Sequence, residues 1–319
     1  MTNYQHNLSL KTLRTFSRYL LGSIALLPIA FWGGSWTIPI TVGQNLPNRL
    51  YNPADLTKFQ QTRICVNCDL SGADLSGLDL RGVNLRATNL TGANLRETDL
   101  RAADLSGANL TDANLENVNF RGAELTGTTL VRANLRRAKL VGANLFLINF
   151  ESANLEEVNL SGTNLSEVYI EQANLRGAQL NGTNLSNSQM TGVNLAGAQL
   201  RGADLTSTNL AGANLSRASL QGAQMIGVSL RNSELTNANF RGTNLEQADL
   251  TNADLRGANL IGANLRRVQL VDALLVEVQA RGADFTAANL LRADVTDTNL
   301  KEANLCNAIL SDDKKGRCP

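Results

Sequence analysis

An apolar residue occupies every fifth position from Leu70 to Leu310, which gives 49 positions in unbroken register. Leucine fills 40 of these positions, and the other nine hold Phe, Ile, Met, Ala or Val. A helical stripe recurs every 3.6 residues and a half-buried strand every 2 residues, so a period of five fits neither. The chain is therefore an array of short repeats, and the geometry of one repeat decides the fold.

Each repeat has fixed preferences around its central apolar residue. A small residue lies two positions before the centre, and Asn or Asp most often lies directly before it. The residue after the centre is polar or charged, and the next one is often Gly, as at Gly72 and Gly202. If the chain turns a corner once per repeat, the centre and the small residue can both point inward. Gly then suits the positive φ of a type II turn.

This A-(N/D)-L-x-G pattern, clear in residues 108–120, resembles that of the pentapeptide-repeat family, and the resemblance covers residues 68–310. It implies an all-β fold, a right-handed quadrilateral β-helix in which four repeats form one square coil. About twelve coils at roughly 4.8 Å spacing make a rod about 58 Å long. The resemblance also implies a short helix leading into a Cys-x-x-Cys-Asp-Leu start, which matches Cys65 to Leu70.

The first part of the chain is unlike the repeats. Residues 1–18 form a basic tail, and residues 19–42 form an uncharged, mainly apolar run. That run is long enough to span a bilayer, and the basic tail before it predicts that the rod is exported. We therefore expect a transmembrane anchor at residues 19–42. The alternatives are a signal peptide cleaved near Ser35 and a buried helix of a cytosolic protein.

Residues 43–67 predict a linker followed by a short helix that caps the open first coil, because terminal repeats need a cap. Asn52 is placed to be the N-cap of this helix, and Pro53 suits its first position. One face of the helix is predicted to carry Leu56, Phe59 and Ile64. Residues 311–319, after the last repeat, form a C-terminal tail.

Composition limits the possible functions. The net charge is +1, with 29 basic and 28 acidic residues, so the chain is neither a basic nucleic-acid binder nor an acidic mimic of DNA. The one histidine, His6, lies in the basic tail, which leaves the repeats without histidine acid–base chemistry. We expect no enzyme, no cofactor and no metal site, and assign function to surface recognition.

The four cysteines lie near the two ends of the repeats. A single zinc site made of Cys65, Cys68, Cys306 and Cys318 is excluded, because the pairs would be separated by a rod of about 58 Å. Two interpretations remain open. One is a pair of local disulfides, Cys65–Cys68 and Cys306–Cys318, which an exported location permits. The other is a redox-active dithiol at Cys65 and Cys68.

Two charge patterns appear when residues twenty apart are stacked. The first alternates in sign and predicts a charge ladder of paired side chains along one face: Arg96, Glu116, Arg136, Glu156 and Arg176. The second is a basic column on the adjacent face, with the three consecutive members Arg81, Arg101 and Arg121. Asp99, Asp104 or Glu124 could neutralise this column, or the column could contact an anionic partner such as lipid head groups or an acidic protein.

Apolar residues at outward positions indicate candidate interfaces, because exposed apolar clusters often mark binding surfaces. The larger cluster lies near the C-terminal end and is predicted to form a homodimer or partner contact: Val271, Leu274, Val276 and Leu291. A smaller mid-rod site consists of Phe146 and Leu147. Covering of the C-terminal cluster by residues 306–319 is the alternative.

Together these features predict a membrane-tethered, extracytoplasmic scaffold in the periplasm or thylakoid lumen that binds another protein through flat faces. Cleavage in the N-terminal run would instead leave it soluble in that compartment. One alternative function is redox regulation through Cys65 and Cys68. A second is inhibition of gyrase, as in the DNA-mimicking fluoroquinolone-resistance group of the family, which the near-neutral charge of this chain disfavours.

Overall fold

The computed structural model describes residues 51–318, so the predictions for residues 1–18 and 19–42 lie outside it. The described part of the chain starts with one helix, α1 (Pro53–Thr62), and continues as an unbroken series of five-residue units. Each unit has a two-residue corner and one bridge residue. Across these residues no helix has the length and apolar character that a bilayer crossing requires.

Parallel bridges join residues twenty apart, so four units complete one coil. We name the four faces of the coil by their bridge residues. Face A contains Asp69, face B Asp74, face C Asp79 and face D Asn84, and each face repeats every twenty residues. The bridges begin at Ile64 and reach Ile309. From Leu70 to Leu290 the backbone N–H of every central residue except Leu145 donates to the coil that follows.

The core is a column of central residues and small residues inside the coils. Central residues such as Leu205 and Leu160 have no solvent exposure, and the small residues two positions earlier are equally buried. The largest fully buried side chains are Phe120, Phe150, Phe240 and Phe285. The inward placement predicted for the central residues is thus what the structure shows.

Corners use a left-handed backbone at their second residue. Positive φ recurs at every fifth residue from Asn67 to Asn307, whether or not that residue is Gly. Where the residue before the centre is Asn or Asp, its side chain often supports the turn, because its oxygen accepts the N–H two residues later. For Asp204 and Thr206 this distance is 2.9 Å. Such local bonds explain the preference for Asn and Asp at the bridge position.

Helix α1 packs on the first coil. Asn52 caps it by accepting the N–H of Ala54 at 3.0 Å, and Leu56 and Phe59 are buried in the core. The carboxylate of Asp55 accepts the N–H of Asp69 at 2.9 Å. The predicted third member of the apolar face was wrong. Ile64 follows the helix, pairs as a bridge residue and is 49% exposed, because bridge positions point outward.

The last coil ends in a short return of the chain. Lys315 forms an antiparallel bridge with Ile309, and Gly316 donates its N–H to Ala308 at 2.7 Å. Residues after Leu310 therefore pair with the edge of the final coil. This pairing occupies backbone groups that would otherwise remain open at the end of the stack.

The ladder between coils has one interior gap, on face D. Among the residues that the structure describes, Asn144 and Asn164 are the one pair missing from the series of parallel bridges between Ile64 and Ile309. The N–H groups of Leu145 and Leu147 have no acceptor on the next coil. The equivalent N–H of Leu125, one coil earlier, donates at 2.9 Å. We call this local opening the face-D gap.

Large side chains lie beside the gap, behind the adjoining face A. Ile148 occupies a position that is usually Ala or Thr, and Val168 stacks on it one coil later. No other two consecutive coils place Val or Ile at this position on the same face. The next central residues, Phe150 and Ile170, are also bulky and fully buried. A close-packed interior cannot absorb this volume, so the neighbouring backbone separates.

Replacing a central leucine tests the inward assignment. We expect Leu205→Ala to lower the free energy of unfolding by roughly 2–5 kcal/mol, because it leaves a cavity between stacked coils. The control is Ser207→Ala at the adjoining corner, which should change stability by less than about 0.5 kcal/mol. Urea unfolding followed by circular dichroism measures both. Equal stability of the two variants would contradict the assignment.

Amide hydrogen exchange tests the face-D gap. The amides of Leu145 and Leu147 should exchange faster than those of Leu125 and Leu165, because only the latter pair donate to the next coil. Exchange measured by NMR compares equivalent positions within one molecule. Equal protection at all four amides would show that the gap is closed in solution.

Candidate functional site

The predicted charge ladder forms a continuous network at the corner between faces B and C. Glu116 contacts Arg96 at 3.2 Å and Arg136 at 3.4 Å. Glu156 in turn contacts Arg136 at 3.4 Å and Arg176 at 3.2 Å. Each carboxylate thus bridges two guanidinium groups in neighbouring coils. The ladder satisfies its own charges, so it stabilises the stack and offers no free charge to a ligand.

The predicted basic column lies at the corner between faces C and D, and two of its members are neutralised. Arg81 contacts Asp79 at 2.6 Å, and Arg101 contacts Asp99 at 2.7 Å. Arg121 has no ion pair within residues 51–318. The column therefore presents isolated charges and no continuous basic stripe.

Two of the neutralising partners suggested by sequence proximity were wrong. Asp104 contacts Arg86 at 3.2 Å, and Glu124 accepts the side-chain amide of Asn144 at 2.9 Å. Asp79 supplies the carboxylate that sequence reasoning missed. It stands two residues before Arg81, and the same spacing joins Asp99 to Arg101. An Asp-Leu-Arg triplet is the sequence signal that identifies these pairs.

The Arg81 guanidinium changes the titration of Asp79. The side-chain hydrogen bond from Arg81 is the largest cause, and it lowers the pKa of Asp79 from 3.8 to about 2 against the opposing effect of burial. The backbone N–H and the positive charge of Arg81 add to the lowering. Arg63 contributes a weaker favourable charge. The shift comes from an exposed ion pair that joins a corner to its face and has no catalytic geometry around it.

All four cysteines are in disulfides, Cys65–Cys68 and Cys306–Cys318. Cys65 and Cys68 are both buried, beneath helix α1 and the first coil. A reactive dithiol needs a partly exposed sulfur in an electropositive setting, so burial disfavours the redox interpretation. Within the described part of the chain, no three His, Cys, Asp or Glu side chains are grouped to hold a metal ion.

The apolar cluster predicted near the C-terminal end is largely covered. Leu274 is 39% exposed, whereas Val271, Val276 and Leu291 are half-buried. Val271 and Val276 are first residues of corners, and Leu274 is a bridge residue. This cluster offers less apolar surface than its sequence indicates.

The mid-rod site presents the largest exposed apolar side chains in the described residues. Phe146 is 64% exposed and Leu147 68%, at the corner between faces D and A. Tyr169, on face A one coil later, is 62% exposed, and Val141 lies at the other edge of face D. We call these four residues the mid-rod patch. Sequence reasoning missed Tyr169, although an aromatic residue where Asn or Asp is usual was a readable signal.

Unpaired carboxylates surround the mid-rod patch. Glu167 stacks on Leu147 in the next coil, and Glu171 follows Tyr169 by two residues. Glu124 lies below the gap on face D, and Glu151 lies one coil below Glu171. None of these four has an ion-pair partner among residues 51–318. The patch is therefore an apolar surface with an acidic border.

A shallow groove of about 570 Å³ lies beyond the end of the charge ladder. Its floor consists of small residues, Gly177, Ala196 and Gly197, and its edges include Arg176 and Arg217. The nearby Glu156 and Arg176 are already paired with each other. The groove thus follows from missing corner side chains and brings no reactive groups together.

A family model described as pentapeptide repeats matches the chain in eight copies, over segments that together run from residue 68 to residue 312. Proteins of this family form right-handed quadrilateral β-helices, so the predicted hand and four-sided coil are confirmed. No curated protein matches the chain in a sequence comparison.

Several solved structures are similar. HetL, involved in heterocyst differentiation regulation in the cyanobacterium Nostoc sp. strain PCC 7120, has 26% identity over 83% of this chain and 99% of its own, with a TM-score of 0.26. QnrB1, a plasmid-mediated fluoroquinolone resistance protein, has 18% identity over 56% and 88%, with a TM-score of 0.34. A pentapeptide repeat protein of the Arabidopsis thaliana thylakoid lumen has 30% identity over 40% and 70%, with a TM-score of 0.15. None of these overlaps is close enough to assign a partner.

The ion pair of Asp79 predicts an acid-sensitive contribution to stability. Its folded-state pKa is lowered, so the unfolded chain binds the proton more readily and stability falls as pH drops from about 3.8 to about 2. Asp79→Asn has no carboxylate to protonate at this position. We therefore expect the free energy of unfolding of this variant to fall less than that of the wild type as the pH drops from about 3.8 to about 2. The control is Asp313→Asn, which removes an exposed carboxylate without an ion pair. Thermal melting at several pH values measures the difference, and identical slopes for both variants would refute it.

Proposed function

We propose that this chain, which belongs to the pentapeptide-repeat family, is a non-catalytic scaffold that binds another protein through the side of its β-helix. The observation that carries the proposal is the mid-rod patch. Phe146, Leu147 and Tyr169 are each more than 60% exposed on a surface otherwise built from polar corner and bridge residues. Exposed apolar groups of this size cost solvation free energy, which burial against a partner recovers.

The chemistry of the surface supports binding over catalysis. The charged groups of the ladder are occupied with each other, and the lowered pKa of Asp79 belongs to an ion pair. Aromatic residues are enriched at protein–protein interfaces, where they provide large contact area at low conformational cost. We assign the recognition role to the mid-rod patch, with the C-terminal cluster around Leu274 as a secondary candidate for a partner or homodimer contact.

We also propose that the scaffold is exported and held at the membrane by residues 19–42. The apolar run and the basic residues before it support this location. Two disulfides at the ends of the β-helix support an oxidising compartment, such as the periplasm or thylakoid lumen. Cleavage near Ser35 is the alternative, and it leaves a soluble protein in the same compartment.

Photocrosslinking in cells tests the scaffold function. A benzoylphenylalanine in place of Phe146 should yield a discrete adduct with another protein. The same residue in place of Ser106 should not, because Ser106 occupies the same corner two coils earlier, away from the patch. Equal adducts at both positions, or none at Phe146, would count against the proposal.

Location needs its own measurement. A reporter fused after Pro319 should be active only outside the cytoplasm, and N-terminal sequencing of the mature chain distinguishes an anchor from a cleaved signal. A cytoplasmic reporter would overturn export while leaving the photocrosslinking result valid.

A further inference from the structure

The mid-rod patch combines apolar side chains with unpaired charges of one dominant sign. Phe146, Leu147 and Tyr169 lie among the carboxylates of Glu124, Glu151, Glu167 and Glu171. Tyr169 stands between two of them, with Glu167 two residues before it and Glu171 two residues after. Arg132 has a weak electrostatic interaction with Glu151, but it forms its ion pair with Asp112, at 2.7 Å. The border of the patch on face A is therefore acidic.

The opposite edge of face D carries fewer charges. Arg121 lies one coil below Val141, and Lys139 lies on face C two residues before Val141. Neither cation has an ion pair in the described structure, and both lie beyond Val141 as seen from Tyr169. On the side of the patch that carries the aromatic residues, the charges without an ion pair are thus all carboxylates, and a ligand on that side must supply positive charge.

The face-D gap lies directly beneath the patch. Phe146 stands between Leu145 and Leu147, whose N–H groups have no acceptor, and the facing carbonyl groups of Asn164 and Ser166 have no donor. The next layer of the same face is intact, since Leu165 donates to Asn184 at 2.7 Å. Backbone groups without partners favour a bound group that can hydrogen-bond to them. The N–H groups of Gly122 and Gly142 also lack an acceptor on the next coil, so the loss of pairing reaches the edge of face D that carries Val141.

A second copy of the chain fits this surface poorly. A two-fold contact through the patch would bring the same patch from both copies together, so Glu167 and Glu171 of each would face like charges. Like charges across an interface oppose association. An anionic lipid surface is disfavoured for the same reason.

We infer that the mid-rod patch binds an extended segment of a partner protein in which apolar side chains are flanked by Lys or Arg. The inference rests on the proposed scaffold function and specifies the chemistry of its partner. Phe146, Leu147 and Tyr169 contact the apolar side chains of the segment. Glu167, Glu171 and Glu151 pair with its cations, and the backbone groups of the gap bond to its main chain.

Direct binding of three synthetic peptides tests this chemistry. The basic probe is Lys-Lys-Leu-Ser-Phe-Ser-Lys-Lys with a fluorescent label. The acidic probe replaces its four Lys with Glu, and the polar probe replaces its Leu and Phe with Ser. Fluorescence anisotropy with the purified full-length protein measures the affinity for each probe. The basic probe should bind at least about tenfold more tightly than either control, and its binding should weaken as the salt concentration is raised.

Matched variants tie this binding to the patch. Phe146→Ser with Leu147→Asn introduces the residues that Ser186 and Asn187 place at the same corner, so folding should be retained. This double variant should abolish binding of the basic probe. Glu167→Gln with Glu171→Gln should weaken binding about fivefold or more and reduce its salt dependence. The control is Glu277→Gln, which removes an exposed carboxylate elsewhere and should have no effect.

The outcomes separate this inference from the scaffold proposal. Equal affinity for the basic and acidic probes, or binding unchanged in the Phe146→Ser, Leu147→Asn variant, would overturn the inference. A photocrosslink at position 146 would still support a scaffold. Sedimentation showing a dimer that the same double variant dissociates would identify a second copy as the occupant and reject the inference. Circular dichroism confirms that each variant is folded.

Discussion

The whole structure depends on backbone hydrogen bonds between residues twenty apart. The N–H of Leu205 donates to Gln224 at 2.7 Å, and the same bond recurs along all four faces. These bonds form only if every unit contributes five residues and turns the same corner, because one extra residue would send a central side chain to the outside. The constraint explains why residues as different as Glu157 and Ala287 accept a positive φ at their corners. The stack compensates the local backbone strain of each non-glycine corner.

Much of this architecture could be predicted from the sequence, because the repeat fixes which residues point inward and which coils are neighbours. The charge ladder from Arg96 to Arg176 was predictable for the same reason, since alternating signs twenty residues apart have only one set of partners. The pairing of Arg81 with Asp79 was not predicted, because the partners expected for the basic column lay in other repeats, whereas this ion pair joins two residues of neighbouring positions at one corner. Ile64 was misplaced because its apolar character was read as helical, whereas its position in the repeat makes it a bridge residue.

The site was less predictable than the fold. Exposure of Phe146 and Leu147 followed from their corner positions, but the C-terminal cluster around Leu274 looked equally good in sequence. Its valines are half-buried, although they occupy the same first corner position as the exposed Phe146, so corner position alone does not predict exposure. The face-D gap was beyond pattern reading. It lies beside Ile148 and Val168 on the adjoining face A, two residues that are acceptable singly and crowd the interior only when they are stacked.

A regular β-helix carries little information on its surface, because each coil repeats the bonding of the one before it. Local chemistry can therefore appear only where the repeat is interrupted. In this chain three departures from the pattern lie side by side: bulky residues behind face A, missing backbone bonds on the adjoining face D, and exposed aromatic and aliphatic side chains at the corner between the two faces. A stability-driven array would replace Phe146, Leu147 and Tyr169 with the small polar residues found in neighbouring coils, since their exposure contributes nothing to the stack. Their presence beside an opened ladder is what the proposed contact site would require, since function often departs from the regular packing that stability favours.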